Sequence, residues 1–151
     1  MRKRVVAVLI AALGWGVPAS AQTSAESDVV AVVNRVFDGM RKGDSAMVRP
    51  LFHTKARIIT MDLRSERPAR VEESVEGFIR SVGSPRTEVF DEQLSNVKTM
   101  IDGSLASVWA DYKFYRGTTL SHCGVDHFLL VKESGRWQII ELADTRRTNC
   151  S

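Results

Sequence analysis

Cysteine is scarce in this chain: two in 151 residues, Cys123 and Cys150. Two thiols without companion ligands at metal spacing do not make a zinc site, so no metal is expected. The fold must then rest on a buried core rather than on many cross-links. Long apolar runs are scarce too. Val5 to Val17 is too short to span a bilayer, which takes about 20 apolar residues, and nothing later approaches that length. Gln22 rather than a cysteine stands directly after Ala21, which argues against a lipid anchor there, and internal repeats and low-complexity segments are missing. Excess charge is missing as well once the first residues are set aside. The whole chain carries 21 Lys and Arg against 18 Asp and Glu, and without Arg2, Lys3 and Arg4 the count is 18 against 18. An even balance argues against nucleic acid and anionic membrane as partners.

What is present begins with a leader. Met1-Arg2-Lys3-Arg4, the short apolar run and Pro18-Ala19-Ser20-Ala21 read as a basic start, an apolar middle and a small-residue cleavage site. Residues 1–21 are thus expected to be a secretory signal peptide and residues 22–151 one exported domain, periplasmic or extracellular, with no membrane attachment after cleavage. An oxidising compartment favours a Cys123–Cys150 disulfide. Closing a loop of about 28 residues stabilises by about 3 to 4 kcal/mol in the chain-entropy model.

Val29, Val32, Val33, Val36, Phe37 and Met40 make a one-sided helical stripe. Ser27 or Asp28 can cap its start, Arg41 and Lys42 suit its end, and Gly43 stops it. Asp44 caps a second, shorter helix carrying Met47, Val48, Leu51 and Phe52. Arg57 to Asp62 reads as a strand, followed by a polar loop through Pro68. Val71, Val75, Phe78, Ile79 and Val82 recur at helical intervals up to Gly83. After Pro85 come the runs Glu88 to Met100, Leu105 to Tyr115, Leu120 to Val131 and Arg136 to Ala143, separated by turn signals such as Asp102-Gly103 and Ser134-Gly135. Helices first and strands last give an α+β plan, in the order α-α-β-α-β-β-β-β, with three helices packed on a strongly curved antiparallel sheet.

The chain resembles the nuclear-transport-factor-2-like superfamily, and within it the exported SnoaL-like or lumazine-binding-like group. The likeness rests on Met40-Arg41-Lys42-Gly43-Asp44, on Leu51-Phe52-His53 leading into Ala56 to Met61, and on Glu76-Gly77-Phe78-Ile79. It rests above all on the C-terminal pair, His122 to Val131 followed by Gly135-Arg136-Trp137-Gln138-Ile139-Ile140 and Asp144 to Arg147. The resemblance implies a cone-shaped barrel with a pocket between the concave sheet and the helices. It constrains shape far more than chemistry, because the superfamily includes isomerases, dehydratases, cyclases and proteins without catalysis.

Inward-pointing strand residues are therefore the ones that matter. Alternation puts Trp109, Asp111, Lys113 and Tyr115 on one side and Val108, Ala110, Tyr112 and Phe114 on the other. On the next run His122, Gly124, Asp126 and Phe128 oppose Cys123, Val125, His127 and Leu129. A pocket lined by Trp109, Asp111, Tyr115, His122, Asp126, Phe128 and His53 is the expectation, holding a small organic ligand without a cofactor. Asp126, Asp111, His122, Tyr115 and Tyr112 are the candidates for proton transfer, since an Asp against an apolar wall acquires the raised pKa such work needs. The bland alternatives are a His–Asp hydrogen bond within the sheet, an exposed cross-strand pair for Asp111, and core packing for Trp109. His122 and His127 fall on opposite faces, which leaves too few ligands together for a metal. A strand apolar on both faces calls for a cover on the convex side, and a homodimer through the sheet supplies one.

Overall fold

The computed structural model describes residues 19–150, with side chains from residue 23 onward. Most of the expected signal segment lies outside the described residues. The first helix, α1, runs Ala19–Lys42. It begins well before its apolar stripe, because the Ala, Gln, Ser and Glu residues ahead of Val29 propagate a helix. Gly43 ends it in the left-handed region with φ 67°, where a glycine carries no Cβ penalty. Asp44 then accepts a hydrogen bond from the Met47 backbone N–H at 2.9 Å and opens α2, Ser45–Val48. A 3-10 turn over Arg49–Leu51 follows, since Pro50 suits a helix start rather than an interior.

The next elements are β1, Phe52–Asp62, and β2, Ala69–Glu73. β2 departs from the sequence expectation, in which Val71 falls in helical spacing with Val75 and Phe78. All five of its residues are exposed, so no alternation betrays it, and it exists by antiparallel pairing to the edge of β1. Ser74 caps the third helix, α3, Val75–Gly83, by accepting from the Gly77 N–H. The long strands are β3, Phe90–Asp102, β4, Leu105–Arg116, β5, Thr119–Glu133, and β6, Arg136–Arg146.

They form one six-stranded sheet in the order β2-β1-β6-β5-β4-β3. Every pairing is antiparallel except that of β1 with β6, which is parallel, so the sheet is mixed rather than wholly antiparallel. Register shifts interrupt β3 between Ser95 and Lys98 and β5 between Leu129 and Leu130. Such bulges add twist and bend the strands around the helices.

The concave side holds the core. Val29, Val33 and Val36 of α1 meet Val108, Phe128, Leu130 and Ile139 of the sheet, all fully buried, and Phe37 meets Phe128 edge to face at 5.9 Å between ring centres. Each such side chain contributes about 1.5 to 3 kcal/mol on burial. The Cys123–Cys150 disulfide is formed. Paired backbone hydrogen bonds between Cys123 and Arg147, at 3.0 and 2.8 Å, also hold the tail against β5.

Candidate functional site

A cavity of about 330 Å³ opens between α1, α3 and the concave sheet, within the size range of small-molecule pockets. Its walls are apolar, with Phe37 and Met40 from α1, Phe78 from α3 and Phe90, Phe114 and Leu142 from the strands. Its floor is polar, and the register explains why. Inward residues of β4 and β5 lie in cross-strand rows, Phe114 beside His122, Tyr112 beside Gly124 and Ala110 beside Asp126. On the flanking strands Glu92 is paired with Phe114 and Asp144 with Asp126.

Asp144 is fully served. Its Oδ1 accepts from the Thr60 hydroxyl, and its Oδ2 accepts from Arg146 Nε at 3.0 Å and faces the Tyr112 hydroxyl at 3.4 Å. The Tyr112 hydroxyl also donates to the Thr145 carbonyl at 2.9 Å. Asp126 is only 2% exposed, and its Oδ2 has no hydrogen-bond partner. Its carboxyl and that of Glu92 lie within hydrogen-bonding reach of each other. Burial first, then the neighbouring carboxylates, push Asp126 well above the usual carboxylate range, and burial lifts Glu92 to about 7. Burial also raises the Tyr112 phenol. His122 is driven down to about 4, mainly by burial and then by Arg146 and Arg64, so its ring is neutral at physiological pH. The Ser121 hydroxyl sits 3.1 Å from its Nδ1. Arg64, Arg116 and Glu73 complete the rim.

Of the residues expected at the site, the structure brings together Asp126, His122 and Tyr112. Trp109, Asp111 and Tyr115 are corrections, because β4 turns them to the outer face. The more apolar alternate set, Val108 to Phe114, is the one drawn inward under α1. Trp109 is 50% exposed, and Asp111 accepts from Asn96 Nδ2 at 2.7 Å. Phe128 is sealed in the core away from the cavity lining. His53 lies at the start of β1, where its Nδ1 accepts from the Lys55 N–H at 3.1 Å and its Nε2 stands 3.6 Å from Glu133. His127 faces outward and meets the Ser107 hydroxyl at 2.8 Å.

Glu92 escaped the sequence reading, although a signal was there: Phe90, Glu92 and Leu94 alternate, and an acid inside an otherwise apolar inward set is out of place. Asp144 and Arg146 are a salt-bridged pair at the end of β6, and they form one side of the pocket floor.

A bent sheet folded over helices around such a cavity is the nuclear-transport-factor-2-like fold. Solved structures that share it include a nuclear-transport-factor-2-like protein of unknown function from Shewanella baltica, with 19% identity, TM-score 0.62 and coverage of 87% of this chain and 98% of that one. A "putative dehydratase" of the same fold from Streptomyces avermitilis matches with 14% identity, TM-score 0.65 and coverage of 83% and 97%. A "putative scytalone dehydratase" from Novosphingobium aromaticivorans matches with 10% identity, TM-score 0.66 and coverage of 84% and 87%. No curated protein matches the chain in sequence. The chain belongs to the family described as "Putative lumazine-binding", whose sequence profile matches residues 24–142. Among the described residues no helix is long and apolar enough to cross a membrane.

Proposed function

We propose that this chain is an exported domain that binds a small organic molecule in the cavity, with an apolar body against the phenylalanine walls and a polar end on the floor. The observation that carries this is the unpartnered Oδ2 of buried Asp126 at the floor of a lined cavity. A buried polar atom without a partner costs about 1 to 3 kcal/mol, and a ligand's donor group removes that cost. The family's description and the cavity's size support the reading. The test is a thermal-shift screen of small aromatic compounds, repeated on Ser81→Trp, which plugs the cavity mouth from α3. A true ligand at 100 times its Kd stabilises by about 2.7 kcal/mol, and the plugged variant should lose that shift. Stabilisation that survives in Ser81→Trp, or none from any compound, rejects the reading.

A second reading, proton-transfer catalysis of isomerase, dehydratase or cyclase type, is favoured by one specific observation. Two carboxyls of raised pKa adjoin a phenol and a neutral imidazole across one cavity. A general acid or base works best with a pKa near the working pH, and Glu92 meets that condition. Two of the structural neighbours carry dehydratase names.

The convex face supports a homodimer. Met100 is 70% exposed, Trp109 50% and Leu105 48%, and the register sets Leu129 and His127 beside Ser107 and Trp109 on the same face. Trp109→Glu puts a charge in that patch and should convert a dimer to a monomer in sedimentation velocity while leaving the circular dichroism spectrum unchanged. A wild-type chain already monomeric at tens of micromolar rejects the dimer.

A further inference from the structure

We infer that the cavity selects ligands bearing a positively charged nitrogen, seated on the paired carboxyls of Glu92 and Asp126. The inference deepens the pocket reading and rests on it.

It follows from where the pocket's cations go. Arg146 is committed to Asp144 at 3.0 Å. Arg64 grips Asp62 through Nε and Nη2 at 2.9 and 2.6 Å. Arg116 lies over the Phe90 ring, 5.5 Å from its centre. Among the described residues no basic side chain bonds Glu92 or Asp126. Asp144, by contrast, collects a hydroxyl and a guanidinium. Two adjacent acids thus sit in a sheltered floor without a directly bonded counter-charge, Arg146 acting on them only from its place on Asp144, and one of them has a buried oxygen unpartnered.

Buried charges are tolerated when paired and hydrogen-bonded. Between two adjoining acids the cheapest remedy is a shared proton, consistent with the upward shift of both groups. An ammonium or amidinium group does better, since its N–H donors reach both carboxyls at once and both then ionise. The walls suit the rest of such a molecule. Phe37, Phe78 and Phe114 line the cavity, and aromatic rings attract a cation within about 6 Å as well as an aromatic body. An anionic ligand would meet the same two carboxyls at the floor, and its only attraction would be to rim arginines that already have partners.

The other charges facing the pair are Asp144 and Arg146 from β6 and Asp91 from β3, with Tyr112 from β4 and His122 from β5 both uncharged at neutral pH. Arg64, Arg116 and Glu73 stand at the rim. Burial lifts Glu92 and Asp126 together, so the pair itself sets the pH response. Binding a cation expels the shared proton, and affinity should therefore rise with pH.

The experiment is isothermal titration calorimetry of the full mature chain with naphthylmethylamine, naphthylmethanol and naphthoate, in buffers of different ionisation enthalpy. The amine is expected to bind at least about tenfold tighter than the alcohol at about pH 8, one pKa unit of differential interaction. It should release a proton on binding near neutrality, and Glu92→Gln and Asp126→Asn should each abolish its advantage while the alcohol still binds. An alcohol that matches the amine, or a naphthoate that binds tightest, overturns the inference and leaves the pocket reading standing. Failure of all three to bind overturns both.

Discussion

Alanine at Gly124 is expected to destabilise the fold by about 3 kcal/mol or more, at the top of the range for overpacking. A Cβ built there lies 1.7 Å from the Thr145 carbonyl oxygen and 2.8 Å from Tyr112 Cε1. The first is backbone of a neighbouring strand, so no rotamer change relieves it. The same gap serves the site. It lets Tyr112 lean across the row and donate to Thr145 at 2.9 Å, which holds the stretch of β6 that carries Asp144 and Arg146. Gly103→Ala makes the control, since Gly103 has φ 56° but nothing within 4 Å of an added Cβ. That variant pays only backbone strain, about 1 to 2 kcal/mol. Urea denaturation should place Gly124→Ala well below Gly103→Ala. If the two midpoints coincide, the close approach of β5 and β6 is not what fixes the floor.

Much of this architecture was legible because burial writes itself into spacing. The helical stripe from Val29 to Met40, the Gly43 stop and the Asp44 cap all stand in the structure as the sequence implies, and so do the glycine turns between β3, β4, β5 and β6 and the Cys123–Cys150 bond. β2 was illegible for the complementary reason, since an edge strand exposed along its whole length needs no apolar alternation. The site was half legible. Asp126, His122 and Tyr112 stand out as polar residues in apolar strands, but alternation gives two faces without saying which looks inward. For β4 the polar-aromatic set Trp109, Asp111 and Tyr115 reads as the better site, whereas burial is decided by the total apolar surface, which takes Val108, Ala110 and Phe114 inward. Tyr112 went inward with them. Glu92 became a site residue only through a diagonal approach to Asp126 that no single strand records.

Stability should fall as the pH rises from about 4.5 to 7, the reverse of what stabilised carboxylates produce. A carboxyl whose pKa is higher in the folded than in the unfolded chain holds a proton that the unfolded chain has lost, so its contribution is complete below the unfolded pKa and disappears as pH climbs through the folded one. Glu92 traverses this window from about 4.3 in the unfolded chain to about 7 when folded, and Asp126 starts near 3.9 and ends well above it. His122 works the other way, since its folded pKa is depressed to about 4 and its contribution is lost as pH falls below about 6.5. Two descending groups against one leave stability falling through the window. Asp62, Glu76 and Asp91, held low chiefly by hydrogen bonds from Arg64, Arg49 and Gln93 respectively, weaken the fold only below that window. Chemical denaturation across this range should therefore show a maximum on the acid side. Asp126→Asn removes one of the two descending contributions, so its profile should be nearly flat from about pH 4.5 to 6.5 and lie above wild type at pH 7. Parallel profiles for variant and wild type would refute a buried, proton-sharing pair. If the flattening is found, the floor of this cavity weakens its own fold at neutral pH, and a cation bound there should stabilise wild type most where the loss is greatest, on the alkaline side.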